Sequence, residues 1–324
     1  MGGDVPASVI RWARAAERAG LGSLWFSEDY FYPGAFSLAA AAAAVTDRPA
    51  IGLGVVNPYT RHPALVAMET AALSGLAPGR VVLGLGSSNR VWIEAQMGIP
   101  FKTPLKALRE CVEIVRRLWT GERLTWQGRC FALRQVVLSF KPGQPELPIL
   151  LGVKGPRALA LAGEIADGVH CSILSSPAHI RRVRSTTAGA RQSGKFLVIA
   201  YLPMAASRDG ELARQSVKPL LARYLGLLHG QSILKDAGIS QAETLPFRHA
   251  LEADEPAAHL VTEELVETFA AAGTPEECRR ILLRWAEAGL DTPIAVVPPG
   301  LDLVQQLDLI GTELVPFWEE TVCR

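Results

Sequence analysis

Along almost the whole 324-residue chain, short aliphatic runs alternate with segments of helical length and helical spacing. The runs are "SLWFS" (23–27), "IGLGVV" (51–56), "VVLGLG" (81–86), "LPILLG" (147–152), "DGVHCSIL" (167–174), "KFLVIAYLP" (195–203) and "TPIAVVPPG" (292–300). They are rich in Val, Ile and Leu and too short to span more than one layer, which is the pattern of strands buried on both faces. Strands of this kind pair in parallel and need a crossover helix between neighbours, which the intervening segments supply. An open doubly wound sheet and a (β/α)8 TIM barrel both fit this order. The length and the number of repeated βα units favour the barrel. Seven strands are readable, and the first element is a helix over 7–19, so the expected barrel lacks its first strand.

The helices carry their own punctuation. Residues 7–19 stop at Gly20, a good residue just past a helix end. Further helices are expected over 35–45, 63–76, 104–120, 156–166, 177–193, 208–228 and 301–319. In "GTPEECRRILLRWAEAGL", Thr274 is the N-cap, Pro275 opens the helix, Glu277 completes a capping box and Gly289 ends it. Two segments interrupt the repeat. Residues 122–142 alternate around Gln127-Gly128 and read as a hairpin. Residues 229–262 show no clear period and form the core of a variable insertion near 204–262. Both insertions fall within one domain, 1–324.

Composition narrows the function. The formal net charge is +1, with 33 basic and 32 acidic residues, so nothing favours nucleic acid or an anionic membrane as partner. The apolar run at 35–45 is too short to cross a bilayer. The opening "MGGDVPAS" has no basic or apolar leader region. Five scattered cysteines form no CxxC pair, which speaks against zinc or a disulfide framework and for a reducing setting such as the cytoplasm.

Chemistry in a barrel collects at the C-terminal ends of the strands. Those ends carry Ser27, Glu28, Asp29 and Tyr30; Asn57, Tyr59, Thr60, Arg61 and His62; Ser87, Ser88, Asn89 and Arg90; "VKGP"; and Ser175 and Ser176. Glu28 and Asp29 point to opposite sides of an extended chain, so at most one faces inward. In "LLGVKGPRALALAG", Gly155 admits close backbone approach and Pro156 opens a helix whose N-terminus favours an anion, with Lys154 and Arg157 nearby. The same turn also serves as an ordinary βα connection, and spacing does not separate the two readings. "GLGSSN" lacks the third glycine of a dinucleotide fingerprint. His170 reads as a satisfied core histidine, and His179, His229, His249 and His259 as surface residues. Trp12, Trp25, Trp119 and Trp285 belong to packing, and Trp92 to packing or a ligand wall.

Taken in order, "LWFSEDYF", "IGLGVVNPYTRHPALVAMETAAL", "GRVVLGLGSSN", "LRECVEIVRRLWTGERLTWQGRCF", "PILLGVKGPRALALAGEIADGV" and "GTPEECRRILLRWAEAGLD" resemble the luciferase-like monooxygenase superfamily. The nearest branch is the deazaflavin-dependent one typified by methylenetetrahydromethanopterin reductase. The resemblance implies a barrel, a homodimer, a small-molecule substrate, and coenzyme F420 at the strand ends, with FMN as the alternative cofactor. It implies a bulge behind the ring, with a non-prolyl cis peptide at Gly54-Val55, and a phosphate site on Gly152, Val153, Gly155 and Pro156. Ser87, Ser88 and Asn57 complete the expected cofactor set, and Glu28, Asp29 and Asn89 the catalytic one. Asn89 stands where the reductase branch has an acid, and Glu28-Asp29 where relatives often have Asp-His. The readings in play are an F420-dependent hydride-transfer enzyme, an FMN-dependent monooxygenase, and a non-catalytic flavin-binding paralogue.

Overall fold

The computed structural model describes residues 5–144, 146–189 and 196–322. Helix α1 (Val5–Arg18) leads into β1 (Ser23–Phe26), α2 (Ala35–Ala43), β2 (Ala50–Val56), α3 (Pro63–Leu76) and β3 (Val81–Gly86). A π-helical turn (Val91–Gln96) precedes α4 (Pro104–Trp119), and the expected hairpin follows as β4 (Leu124–Gln127) and β5 (Ala132–Val136). Then come β6 (Ile149–Gly152), α5 (Pro156–Ile165), β7 (Gly168–Cys171), α6 (Pro177–Ala188) and β8 (Leu197–Ala206). The rest is α7 (Gly210–Leu227), α8 (Ser232–Asp236), α9 (Gln241–Glu252), α10 (Glu263–Phe269), β9 (Ala271–Gly273), α11 (Pro275–Glu287), β10 (Thr292–Val296), α12 (Leu303–Leu309), a π-helical turn (Ile310–Leu314) and α13 (Val315–Val322). The last residues expected in the helix over 177–193, and Lys195 of the next strand, lie outside the described residues.

The strands run in parallel in the order β1-β2-β3-β6-β7-β8-β10. No ladder joins β1 to β10 among the described residues, so the sheet curls without closing between these two strands. Two sequence expectations need correction. Short strand β9 was not anticipated; "FAAAGT" is Ala-rich and carries no strand signal, and it forms because Ala271–Gly273 pair with the long end of β8, Met204–Ala206. Residues 229–262 are largely helical. α9 has a full capping box, Ser240 with Glu243, but Pro246 inside it and a polar exposed face hide its period. With α7 and α10 it encloses a second apolar cluster around Val217, Leu221, Leu225, Phe247 and Phe269.

Alternation along the strands divides inside from outside. Leu24, Phe26, Ile51, Leu53, Leu83, Leu85, Leu151, Val169 and Val198 face the helices in the main core. Trp25, Val82, Leu150, Ile199, Tyr201 and Ile294 fill the interior of the curled sheet. Bulk there comes from one side and glycines from the other. A Cβ on Gly52 would fall 2.3 Å from the Trp25 ring, and one on Gly54 would fall 2.3 Å from His170 Cε1 and 2.6 Å from the Tyr201 hydroxyl.

In β2 the alternation breaks. Ile51 and Leu53 face outward, and so does Val56, while the register with β3 shifts between Leu53 and Val56. One extra residue sits in the strand, and Val55 is turned inward. Its methyls occupy the space that side chains at Gly84, Gly86 and Gly152 would need, at 3.0, 2.6 and 2.8 Å from their Cβ positions. The Gly54-Val55 peptide is cis, as the resemblance implies, and so is Tyr30-Phe31.

A Gly84→Ala change would place its methyl 2.2 Å from the Leu53 carbonyl. It is expected to cost at least about 1–3 kcal/mol, the range for overpacking. Gly22→Ala, with nothing within 4 Å, is the neutral control. Urea unfolding of the two variants checks this; equal midpoints would refute the cradle.

Candidate functional site at the strand ends

The β1 loop separates its two carboxylates as alternation requires. Glu28 is almost buried and receives the Arg61 guanidinium on both oxygens, at 2.6 to 2.9 Å. Arg61 reaches on to Glu69 at 2.7 Å and lies 4.9 Å over the Phe36 ring. This network ties the β1 and β2 loops to α3 and engages both Glu28 carboxylate oxygens. Asp29 is its opposite. Its carboxylate has no ion-pair or hydrogen-bond partner among the described residues; its backbone carbonyl accepts from Tyr32 N at 3.0 Å. Solvent reaches it, yet the protein crowds it closely enough that desolvation raises its carboxyl above the usual range, with Arg223 opposing. Its charge acts in turn on Tyr201 and Tyr224.

Asn57 is buried and ties its own loop to the β1 loop. Its Oδ1 accepts from the backbone of Tyr59 (2.9 Å) and Thr60 (3.1 Å), and its Nδ2 donates to the Tyr30 hydroxyl. Tyr30 also bonds Thr60 at 2.8 Å and meets Trp92 edge-on at 5.8 Å. His62 caps α3, accepting from Ala64 N at 3.2 Å, with Pro63 as the first helical residue. Two prolines around an Asn-Arg-His burst therefore encode an Asx turn, an ion-pair anchor and a helix cap.

After β3, Ser88 adopts a left-handed backbone (φ 59°), and its hydroxyl is buried without a partner. Asn89 accepts from Trp92 N at 3.0 Å and so starts the π-helical turn, leaving its amide nitrogen unspent. After β6, Gly152 lies under Val55, Val153 is buried, and Gly155 and Pro156 open α5. Lys154 Nζ bonds Gln231 at 2.8 Å, has no carboxylate partner among the described residues, and is held below its ordinary pKa by burial. A crowded cation beside a helix N-terminus fits an anionic group.

Two histidines, His179 and His170, depart from expectation; half-buried His229 does not. His179 is fully buried, not at the surface; its Nδ1 bonds Asp236 at 2.7 Å, Asp236 also pairs with Arg182, and its Nε2 has no partner. His229 bonds Thr244 at 2.8 Å. His170 is in the core but unsatisfied, with neither ring nitrogen hydrogen-bonded. It is packed between Trp25, edge-on at 4.9 Å, and Tyr201, tilted at 4.5 Å, and burial drives its pKa down to about 3. Residue-by-residue reading missed this packing, and Tyr201 above all. Its signal was present: an inward-facing Tyr in a buried strand must find a partner for its hydroxyl.

Residues 1–292 match the family model described as luciferase-like monooxygenase. The chain belongs to this family. It is 31% identical to the 5,10-methylenetetrahydromethanopterin reductase of Archaeoglobus fulgidus over 316 residues, covering 94% of each chain. It is 28% identical to the F420-dependent glucose-6-phosphate dehydrogenase of Beutenbergia cavernae, covering 96% of this chain and 93% of that one. The solved coenzyme F420-dependent tetrahydromethanopterin reductase of Methanopyrus kandleri superposes with a TM-score of 0.87 at 25% identity, covering 97% of this chain and 96% of that one. The open curled sheet is thus the family's barrel-like architecture, and F420 dependence is named for the Beutenbergia cavernae and Methanopyrus kandleri proteins.

A His170 pKa near 3 lies below the unfolded value of 6.5. The unfolded chain therefore binds the extra proton between those values, so this contribution is intact above pH 6.5 and is lost as pH falls toward 3, by about 1.4 kcal/mol per unit. Urea unfolding at pH 7 and 5.5 is expected to show a smaller acid loss for His170→Leu than for the parent chain; equal losses would mean His170 titrates normally. Arg61→Ala, which strands Glu28, is expected to cost roughly 2 kcal/mol, between the exposed and buried limits for ion pairs.

Proposed function

We propose that this chain is an F420-dependent oxidoreductase that passes a hydride between the deazaflavin and a small organic substrate at the C-terminal mouth of the sheet. The observation that carries the reading is the strand end Gly54–Val55, built out of the ladder onto three glycines and standing with the crowded, uncompensated Lys154 at the same sheet face. The names of the full-length relatives support F420 over FMN. When bound, F420 supplies the hydride donor or acceptor.

The chain's own share is orientation, water exclusion and one proton. Gly54 and Val55 form a rigid backing because neither can shift without meeting His170, Tyr201 or the β3 and β6 glycines. Gly152, Val153, Gly155 and Pro156, with Lys154, bind the anionic part of the cofactor. Ser88, and Ser87 beside it, offer hydroxyls for its polar edge, Ser88 being the unpartnered one. Trp92 and Tyr30 wall the mouth. Asn57 acts through the loop it ties and touches no ligand. Asp29 holds the proton at its carboxyl. Glu28 is excluded from that role because Arg61 occupies it. Asn89 cannot exchange a proton, and its free amide nitrogen donates a hydrogen bond to the substrate.

Titration with F420 by fluorescence quenching is expected to saturate, with FMN binding more weakly. Lys154→Met is expected to weaken F420 binding about tenfold, as loss of a charge-assisted contact does. Asp29→Asn is expected to lower kcat by about 10²–10⁴ while F420 affinity stays within about twofold, since it removes a proton donor and no cofactor contact. In the substrate-reducing direction the acid form of Asp29 is required, so kcat falls as pH rises through its elevated pKa. Absence of F420 binding, or FMN binding with oxygen consumption, would overturn the proposal.

A further inference from the structure

The sheet ladder between β2 and β3 holds through Leu53 and resumes at Val56. Gly54 and Val55 therefore stand outside the strand pairing, and a carbonyl in that position needs another donor. Gly54 takes it from across the interior: the Tyr201 hydroxyl, 147 residues along the chain on β8, donates to the Gly54 carbonyl at 2.7 Å. A phenol has one proton. With that proton committed to Gly54, the Ser27 hydroxyl, 3.3 Å away at the end of β1, is left to donate to the Tyr201 oxygen. The Tyr201 ring has no freedom to swing away, because it packs against His170, which packs against Trp25. Three strands that are not neighbours in the ladder to β3, namely β1, β7 and β8, thus converge on one carbonyl of β2.

We propose that Tyr201 is a positioning residue that holds the Gly54–Val55 strand end in its ligand-ready place before any cofactor arrives, with Ser27 setting the direction of its hydroxyl. Burial keeps the phenol protonated by raising its pKa well above the ordinary range, so it remains a donor at every pH at which the protein is folded. The glycines under Val55 fix the strand end from one side, and Tyr201 fixes it from the other. Tyr201→Phe removes the hydrogen bond and keeps the ring packing. Its consequence for cofactor binding rests on the F420 reading above, but the geometry does not.

The test is amide hydrogen exchange of the cofactor-free protein together with F420 titration, on the parent chain, Tyr201→Phe and Ser27→Ala. Tyr201→Phe is expected to speed exchange at Val55, Val56 and Asn57 by at least tenfold, with Leu151 and Val169 unchanged, and to weaken F420 binding about tenfold. Ser27→Ala is expected to move the same amides by about threefold, and it keeps the question open to experiment if Tyr201→Phe does not fold. Unchanged exchange at Val55–Asn57 in the variants overturns the inference, as does a rise spread evenly over the sheet, which would make Tyr201 a general packing residue. If the parent chain binds no F420 but the local exchange effect is present, the positioning role stands and the cofactor reading falls. If the parent binds F420 and Tyr201→Phe matches it in both measurements, the reverse holds.

Discussion

One valine out of step governs this structure. Because β2 carries an extra residue, Val55 enters the interior where the neighbouring strands would place side chains of their own. β3 and β6 answer with Gly84, Gly86 and Gly152. Glycine in a strand ordinarily weakens it, so three of them on two adjacent strands need a reason, and Val55 is that reason. The same displacement releases Gly54 from the ladder and exposes its carbonyl to Tyr201. It also carries Asn57 and Arg61 to the positions from which they tie the β1 loop. Backbone register, interior packing and the placing of the mouth are consequences of a single insertion.

Charge then sorts the polar residues that crowd the strand ends. Two adjacent carboxylates in "SEDY" have the same chemistry in sequence and different fates in the fold. Glu28 meets a guanidinium with matching geometry and becomes part of the frame. The Asp29 carboxylate meets no partner among the described residues, and desolvation raises its pKa above the ordinary carboxylate range. Lys154 is the cationic counterpart, crowded and bonded only to an amide oxygen.

The strand order, the helix bounds and the capping box at Thr274 could be read from the chain because they are set by local period and local hydrogen bonds. The glycine turn at Gly155-Pro156 and the strand end at Gly54-Val55 could be placed for the same reason, the second with help from family resemblance. What escaped was decided by distant contacts. β9 is a strand only because β8 is long enough to pair with it. His179 looked like a surface residue until Asp236, 57 positions away, covered it. The hydrogen bonds of Asn57 to Tyr59, Thr60 and Tyr30 depend on where the β1 loop returns. His170 looked satisfied, and nothing in "DGVHCSIL" says that its neighbours are aromatic rings rather than hydrogen-bond partners.

The bond from Lys154 to Gln231 joins the turn after β6 to the residue that caps α8. Asp236 at the far end of the same short helix holds His179 and Arg182 on α6. This short helix is therefore tied at one end to the turn after β6 and at the other to α6. It is not an interchangeable cover. Replacing it would leave Lys154 Nζ without its Gln231 partner and His179 and Arg182 without Asp236, so two neighbouring turns of the scaffold would loosen together.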